Sequence, residues 1–161
     1  HAKSGTPNAT LKHTMSLRIA DVKINGISVA EAGFNAFIAG YYGVPVVFLS
    51  GDKAICQYAV KTWPEIETVA VKEGLGKACI SVHPEKSKTM IKSGVIAGLK
   101  KRDKISPYCF KPPITMDIAY RDESLAYRAA WYPKVKRLDD HTVRFRSKNT
   151  IDCLRFFYFC T

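Results

Sequence analysis

The chain has 161 residues, of which 47% are hydrophobic and 24% charged, a composition that is ordinary for a globular protein and excludes intrinsic disorder. Its formal net charge of +11 favours anionic partners, but the basic residues are spread along the whole chain and form no nucleic-acid-binding motif. We therefore expect no nucleic-acid partner, and no membrane partner either, because the longest apolar stretches are too short to span a bilayer.

The first elements are predicted from turn residues and from apolar alternation. Residues 1–16 are rich in Gly, Pro and Asn and are expected to form a loop. Apolar side chains alternate through residues 17–29 on both sides of Asn25-Gly26, which predicts a β-hairpin with a type I′ turn. Residues 30–42 combine small and aromatic side chains, and this pattern predicts a helix that packs closely on a sheet.

Strands and helices then alternate. Residues 44–49 are almost wholly apolar, as is typical of a strand buried on both faces of a parallel sheet, and Asp52 is placed to cap a following helix over residues 53–62. A second inner strand, a loop through two glycines and a long helix are expected at residues 67–72, 74–76 and 83–101. This order predicts an α/β domain over residues 1–106, with a mostly parallel sheet and flanking helices in layers.

The composition changes after a group of prolines, and residues 107–161 are predicted to form a smaller C-terminal β-α-β subdomain. The pattern predicts strands at residues 114–120, 134–138 and 142–146, and helices at residues 124–132 and 150–160.

The five cysteines are irregularly spaced and include no CxxC pair. An odd number without a recognisable framework argues against a disulfide scaffold and against a zinc finger. We expect buried, reduced thiols and therefore a cytoplasmic location. The five are Cys56, Cys79, Cys109, Cys153 and Cys160.

Two imidazoles and one carboxylate are the main candidates for chemistry. His1 and His13 lie on the predicted N-terminal loop, and Glu31 follows the predicted hairpin at a strand-to-helix junction. These residue types are the usual ligands of a metal-assisted hydrolytic site. Each also has an ordinary interpretation: a solvated chain end, a loop histidine, and a carboxylate that complements the helix dipole. Lys72 and Glu73, at the end of an inner strand, are weaker pocket candidates.

Several stretches taken together resemble the zinc-dependent D-aminopeptidases that assemble into self-compartmentalising rings. The match is dense from His1 to Pro84 and holds only at the level of pattern beyond Ile105. The matching stretches are residues 1–7, 13–14, 24–26, 29–36, 39–47, 50–52 and 68–74.

The resemblance implies which residues act and on what substrate. It implies that His1 and Glu31 are zinc ligands, that His13 acts in catalysis, and that the intact site holds two zinc ions. The implied reaction is hydrolysis of the amide bond after the N-terminal D-amino acid of a short peptide. The implied partners are these peptides and further copies of the chain in a homo-oligomer.

The chain lacks an initiating methionine and the Ser-x-Asp-x-Glu-Gly strand that supplies further ligands in this family. We expect it to resemble the C-terminal part of such an enzyme and to have little activity alone, because a catalytic zinc normally needs three protein ligands. Two alternatives stay open. In the first, the chain is a non-catalytic α/β assembly subunit. In the second, it is a basic module that binds anions.

Overall fold

The structure, a computed structural model, describes residues 1–161 and contains two compact units. The first consists of His1–Lys12 with Ala32–Cys109, and the second of His13–Glu31 with Phe110–Thr161. The last passage of the chain from the first unit to the second follows Cys109. The predicted hairpin, however, belongs to the second unit and not to the first, because it pairs with a strand from the C-terminal part of the chain.

The order of elements follows the predicted alternation of strands and helices. In chain order they are β1 (Ile19–Ile24), β2 (Ile27–Ser28), α1 (Glu31–Tyr41), β3 (Phe48–Asp52), α2 (Lys53–Thr62), β4 (Glu67–Leu75), β5 (Ala78–Ser81), α3 (Pro84–Lys100), a 3-10 turn (Arg102–Lys104), β6 (Ile114–Tyr120), α4 (Glu123–Ala129), β7 (Lys136–Arg137), β8 (Thr142–Ser147) and α5 (Thr150–Cys160).

The first unit contains a three-stranded sheet in the order β3-β4-β5, and helices α2 and α3 both pack against β3 and β4. Strands β3 and β4 are parallel, as the crossover through α2 requires. Helix α3 approaches the sheet closely at Gly98, where an added Cβ would lie 2.5 Å from the carbonyl oxygen of Val47. Part of the core is formed by Ala36 of α1, Ala59 of α2, Trp63 and Ile66, which are buried together.

The α/β class is confirmed, but the prediction of a mostly parallel sheet is not borne out, since β3–β4 is the one parallel pair. The expected loop through Gly74 and Gly76 is instead the end of β4 and a tight turn into β5. Two residues connect these strands, and a connection of that length allows only antiparallel pairing. Gly76 has a φ of +60°, which a glycine adopts without strain.

The second unit contains a five-stranded antiparallel sheet in the order β2-β1-β6-β8-β7, with α4 and α5 packed on β6 and β8. The predicted hairpin turn is confirmed, because Asn25 and Gly26 have φ values of +49° and +81°. The C-terminal region is more than the predicted β-α-β subdomain, since its strands share one sheet with the hairpin. Side chains buried in this unit include Ile24, Ile114, Met116, Ile118, Val143, Cys153 and Phe156.

Several boundaries match the prediction, and others, including the ends of β4 and α4 and the start of β3, do not. Helix α5 spans the predicted residues, and Asp52 caps α2 by accepting a hydrogen bond from the amide of Ile55 at 2.9 Å. Strand β3 starts at Phe48 and not at residue 44, since Pro45 cannot donate to a strand ladder. None of the helices is both long and apolar enough to cross a bilayer.

Candidate metal centre

The structure brings the three residues singled out from the sequence into one cluster. His1 and His13 each offer an imidazole nitrogen and Glu31 offers a carboxylate oxygen, and these atoms lie within 4.8 Å of one another. All three side chains are half-buried. Two nitrogens and one oxygen are a typical donor set of a catalytic zinc site.

The spacing of the cluster is compatible with a shared ion. Donor atoms bound to one zinc lie at most about 4.4 Å apart, because each is about 2.0–2.2 Å from the metal. The observed limit of 4.8 Å is close to that figure, so only small side-chain rotations separate the present positions from shared coordination. The residues therefore fit a metal that accepts imidazole and carboxylate ligands.

Glu31 is placed by the junction between the hairpin and α1. It is the first residue of the helix and follows Val29 and Ala30, both of which are fully buried. The amide of Val29 donates to the carbonyl of Val22 at 2.9 Å, which extends the hairpin pairing almost to the helix. A carboxylate in the first turn also complements the positive end of the helix dipole.

His13 is held through its neighbour Thr14. The Thr14 side chain is buried, and its hydroxyl donates to the carbonyl of Val29 at 3.2 Å. That carbonyl is two residues before Glu31, so a single hydrogen bond ties the chain next to His13 to the chain next to Glu31. A tight turn in which the amide of Ser16 donates to the carbonyl of Thr14 at 2.7 Å fixes the other side.

His1 is placed by the residues that follow it. Ala2 is buried, and both the amide and the hydroxyl of Thr6 donate to the carbonyl of Lys3, at 3.3 and 2.9 Å. This local turn and the buried alanine give the start of the chain a defined path. His1 is half-buried, in contrast to the solvated position that is its ordinary interpretation.

The loop that carries the two histidines has several residues with strained backbone conformations. Asn8, Leu11 and Met15 have φ values of +51°, +47° and +62°, in the left-handed region that non-glycine residues rarely adopt. Such conformations persist where surrounding contacts determine them. Here the contacts include the carboxylate of Asp52, which accepts from the amide and hydroxyl of Thr10 at 2.9 and 3.0 Å.

The hydrogen bonds that join the N-terminal loop to Asp52 are not predictable from the sequence pattern. That pattern assigned Asp52 only as a helix cap, and it assigned Gly74, whose amide donates to the carbonyl of Asn8 at 3.1 Å, to a loop. Thr10 and Asp52 are 42 residues apart, and nothing in a single sequence connects them.

The weaker candidates lie outside the cluster. Glu73 forms an exposed ion pair with Lys53 at 3.1 Å, and Lys72 lies beside it at an exposed position of β4. His83 caps α3, and His141 lies in the turn before β8. These four positions do not contribute to the metal-ligand cluster.

Three of the five cysteines are buried, as expected, whereas Cys79 and Cys109 are exposed, contrary to the expectation. Burial raises the pKa of Cys153 and of Cys160 to about 11 in each case. Burial is also the main cause of the raised pKa of Cys56. A thiol must lose its proton to bind a metal, so these three groups are poor ligands at neutral pH.

Comparison with known proteins adds a family to this geometry. A family model described as D-aminopeptidase matches residues 1–159. A D-aminopeptidase of Bacillus subtilis (strain 168) is 27% identical over 154 residues, which cover 94% of this chain and 56% of that protein. The solved structure of the Zn-dependent D-aminopeptidase DppA from Bacillus subtilis, a self-compartmentalizing protease, matches with a TM-score of 0.93 and 26% identity, over 99% of this chain and 59% of that one.

The chain thus spans a little over half the length of each of these relatives. The family model, by contrast, matches this chain almost from end to end. The order of matching stretches noted in the sequence agrees with that result. On this evidence the chain belongs to the D-aminopeptidase family.

Proposed function

We propose that this chain carries a zinc centre of a D-aminopeptidase that removes the N-terminal D-amino acid from short peptides. The observation that supports this most directly is the cluster of His1, His13 and Glu31, which offers metal-ligand atoms within 4.8 Å in a chain of this family. The zinc dependence of the related DppA indicates which metal suits the donor set.

In this proposal His1 and Glu31 bind the metal through an imidazole nitrogen and a carboxylate oxygen. Zinc bound there would polarise the scissile carbonyl and lower the pKa of a water molecule. His13 would hold or transfer a proton beside the reacting amide, the part that histidine most often takes in acid–base catalysis. The half-buried position of all three side chains limits access of bulk water to the centre.

The number of ions and the role of His13 are linked. With His13 as a third ligand, the cluster has the three protein donors of a catalytic zinc and leaves a fourth position open. With His13 as a proton carrier, His1 and Glu31 are two ligands and the ion takes a further one from elsewhere. We propose the second arrangement, with the two zinc ions that the resemblance implies.

The names of the relatives support a substrate and an assembly for this chain. Both are D-aminopeptidases by name, which supports a peptide with an N-terminal D-residue as substrate. The self-compartmentalizing behaviour of DppA supports a homo-oligomer of this chain, which light scattering measures directly.

We also propose a cytoplasmic location, because the chain holds five free thiols, and fractionation of cells tests it.

Zinc binding to the purified chain tests the centre. We expect His1→Ala and Glu31→Gln each to weaken zinc binding, measured by competition with a chelator, by about 10- to 100-fold or more, since each removes a ligand. His83→Ala and His141→Ala are matched controls, because both remove an exposed imidazole outside the cluster and should leave the affinity unchanged. Equal zinc affinity in all five proteins would refute the proposal.

His13→Ala separates the two roles of His13. A proton carrier is needed for hydrolysis and not for zinc binding. The variant should therefore keep its zinc affinity, and it should lose peptide hydrolysis in the oligomeric form in which the wild type is active. A loss of zinc binding as large as that of Glu31→Gln would show that His13 is a ligand.

Activity and its alternatives are separated by two further measurements. Hydrolysis of a D-alanyl peptide that a chelator abolishes, with the L-alanyl peptide as control, supports the peptidase. Absence of zinc together with stable self-association favours the assembly subunit. Retention on a polyanion that falls steeply with salt favours the anion-binding module.

A further inference from the structure

Asp52 is a buried carboxylate that makes two separate sets of hydrogen bonds. It lies at the end of β3 and is 1% exposed. Its Oδ1 accepts from the amide of Ile55 at 2.9 Å and caps α2, while its Oδ2 accepts from the amide and hydroxyl of Thr10 at 2.9 and 3.0 Å. Each of its two oxygens therefore serves a different segment of the chain.

The position of Asp52 depends on an irregularity in the parallel pair. The register of β3 and β4 shifts between Gly51 and Asp52, so that Gly51 pairs with Ala70 and Asp52 with Lys72. An irregularity of this kind redirects a side chain at the end of a strand. Asp52 thereby reaches the N-terminal loop and the helix at the same time.

A second contact holds the same loop. The amide of Gly74 on β4 donates to the carbonyl of Asn8 at 3.1 Å. A Cβ at Gly74 would lie 2.8 Å from the Asn8 carbonyl group and 2.9 Å from the carbonyl carbon of Ala9, so only glycine permits this approach. The ends of β3 and β4 thus fix residues 8–10 from two sides.

The fixed residues lie between His1 and His13. The loop around them has the left-handed residues Asn8 and Leu11, so its path is costly and needs external contacts to persist. We infer that Asp52 is a positioning residue of the metal centre: through Thr10 it holds the histidine-bearing loop in the geometry that places the imidazoles of His1 and His13 beside Glu31. This inference rests on the proposed zinc function and extends it to a residue outside the ligand set.

Asp52→Asn is the discriminating variant. Asn is as good a helix cap as Asp, and its oxygen still accepts from the amide of Ile55. Its Nδ2 group, however, would face the amide of Thr10. In the wild type that amide donates to Oδ2 of Asp52, whereas in the variant two N–H donors would face each other. We expect the variant to keep α2 and to lose the loop attachment.

The matched control is Asp122→Asn. Asp122 caps α4 by accepting from the amide of Ser124 at 2.8 Å and is not a member of the metal-ligand cluster. The same chemical change at this cap should leave zinc affinity unchanged. In Asp52→Asn we expect zinc affinity to fall about 10- to 100-fold, the range for residues that orient metal ligands. Amide hydrogen exchange should show lost protection at Thr10 and retained protection at Ile55.

A milder variant keeps the test decisive if Asp52→Asn does not fold. Thr10→Val removes one of the two hydrogen bonds and leaves the cap untouched, and we expect it to weaken zinc binding by roughly three- to tenfold. Unchanged zinc affinity in Asp52→Asn, or in Thr10→Val where the first variant is unfolded, overturns the inference while the zinc proposal stands. A wild-type chain that binds no zinc overturns the zinc proposal and this inference together.

Discussion

Asp117 is a nearly buried carboxylate on β6, and both of its oxygens are bound by one guanidinium. The Nε and Nη2 atoms of Arg144 on β8 lie 2.7 Å from Oδ1 and from Oδ2. The hydrogen bonds to Asp117 raise the pKa of Arg144, as expected for a cation stabilised by its partner. This bidentate pair crosses the two central strands of the second unit.

Arg144→Met should destabilise the chain by about 2–3 kcal/mol, because it leaves the Asp117 carboxylate buried without its partner. Arg144→Lys should destabilise the chain by a smaller amount, since an ammonium group keeps the charge but cannot make both hydrogen bonds to the carboxylate in the same way. Urea denaturation measures both. A loss below about 0.5 kcal/mol in Arg144→Met, the size of an ordinary surface substitution, would contradict this account.

Asp139 supplies a pH-dependent contribution in the turn before β8. The amide of His141 donates to its Oδ1 at 2.8 Å, and this hydrogen bond lowers the pKa of Asp139 from 3.8. A lowered pKa in the folded state means that the stabilisation is present above the unfolded value and is lost as pH falls through the folded value. The stability difference between the wild type and Asp139→Asn should therefore persist at pH 7 and disappear below pH 3.8. Thermal melts along a pH series measure this difference, and a difference independent of pH would contradict it.

At the level of single residues, the sequence predicted the members of the candidate site and not what holds them. His1, His13 and Glu31 are recognisable because their residue types and loop positions are typical of metal ligands. The attachment of the loop to Asp52 depends on a register shift and on a pairing across 42 residues. A helix cap has a local signature in sequence, whereas a second role of the same carboxylate has none.

At the level of elements, helix α3 shows how close packing differs from helix propensity. Gly98 faces the carbonyl of Val47 at a distance that leaves no room for a side chain. Alanine favours an isolated helix by about 1 kcal/mol over glycine. Close backbone packing outweighs that preference here, which explains a glycine near the end of a long helix.

Gly98→Ala should therefore destabilise the first unit by about 1–3 kcal/mol through the clash with the Val47 carbonyl, despite its better helix propensity. Ser93→Ala, at an exposed position of the same helix, serves as the control and should change stability by less than about 0.5 kcal/mol. Chemical denaturation of the two variants gives the comparison. Greater stability of Gly98→Ala than of the wild type would show that the helix can move away from the sheet.

Strand type was predictable from the sequence, and strand partners were not. Alternation and the Asn25-Gly26 turn identify the hairpin locally, but the pairing of β1 with β6 joins residues about ninety positions apart, as in the bond from the amide of Thr115 to the Asn25 side chain. The hairpin was therefore assigned to the wrong unit. The antiparallel return of β5 was missed for a related reason, since two glycines suggest a loop as readily as a tight turn.

At the level of the whole molecule, the chain is interleaved: it forms part of the first unit, contributes residues 13–31 to the second, and returns to the first before the C-terminal strands. A single division of the sequence cannot describe such an arrangement, because the chain passes between the two units more than once. The expected division at residue 106 takes account of only one of these passages. The three candidate ligands are also separate in sequence, at three positions within residues 1–31. Binding of a metal to the folded cluster is consequently expected to stabilise the fold, because the unfolded chain does not hold these three side chains together.

Zinc should accordingly raise the melting temperature of the chain. Free zinc at one hundred times its dissociation constant adds about 2.7 kcal/mol to the free energy of unfolding. A chelator should reverse the increase, Glu31→Gln should reduce it to about half or less, and His141→Ala, which removes an imidazole outside the cluster, should retain it in full. Calorimetry with and without zinc measures the shift in each protein. A shift of the same size in Glu31→Gln and in the wild type would show that zinc binds elsewhere on the molecule, and the assignment of the cluster as the metal centre would then be wrong.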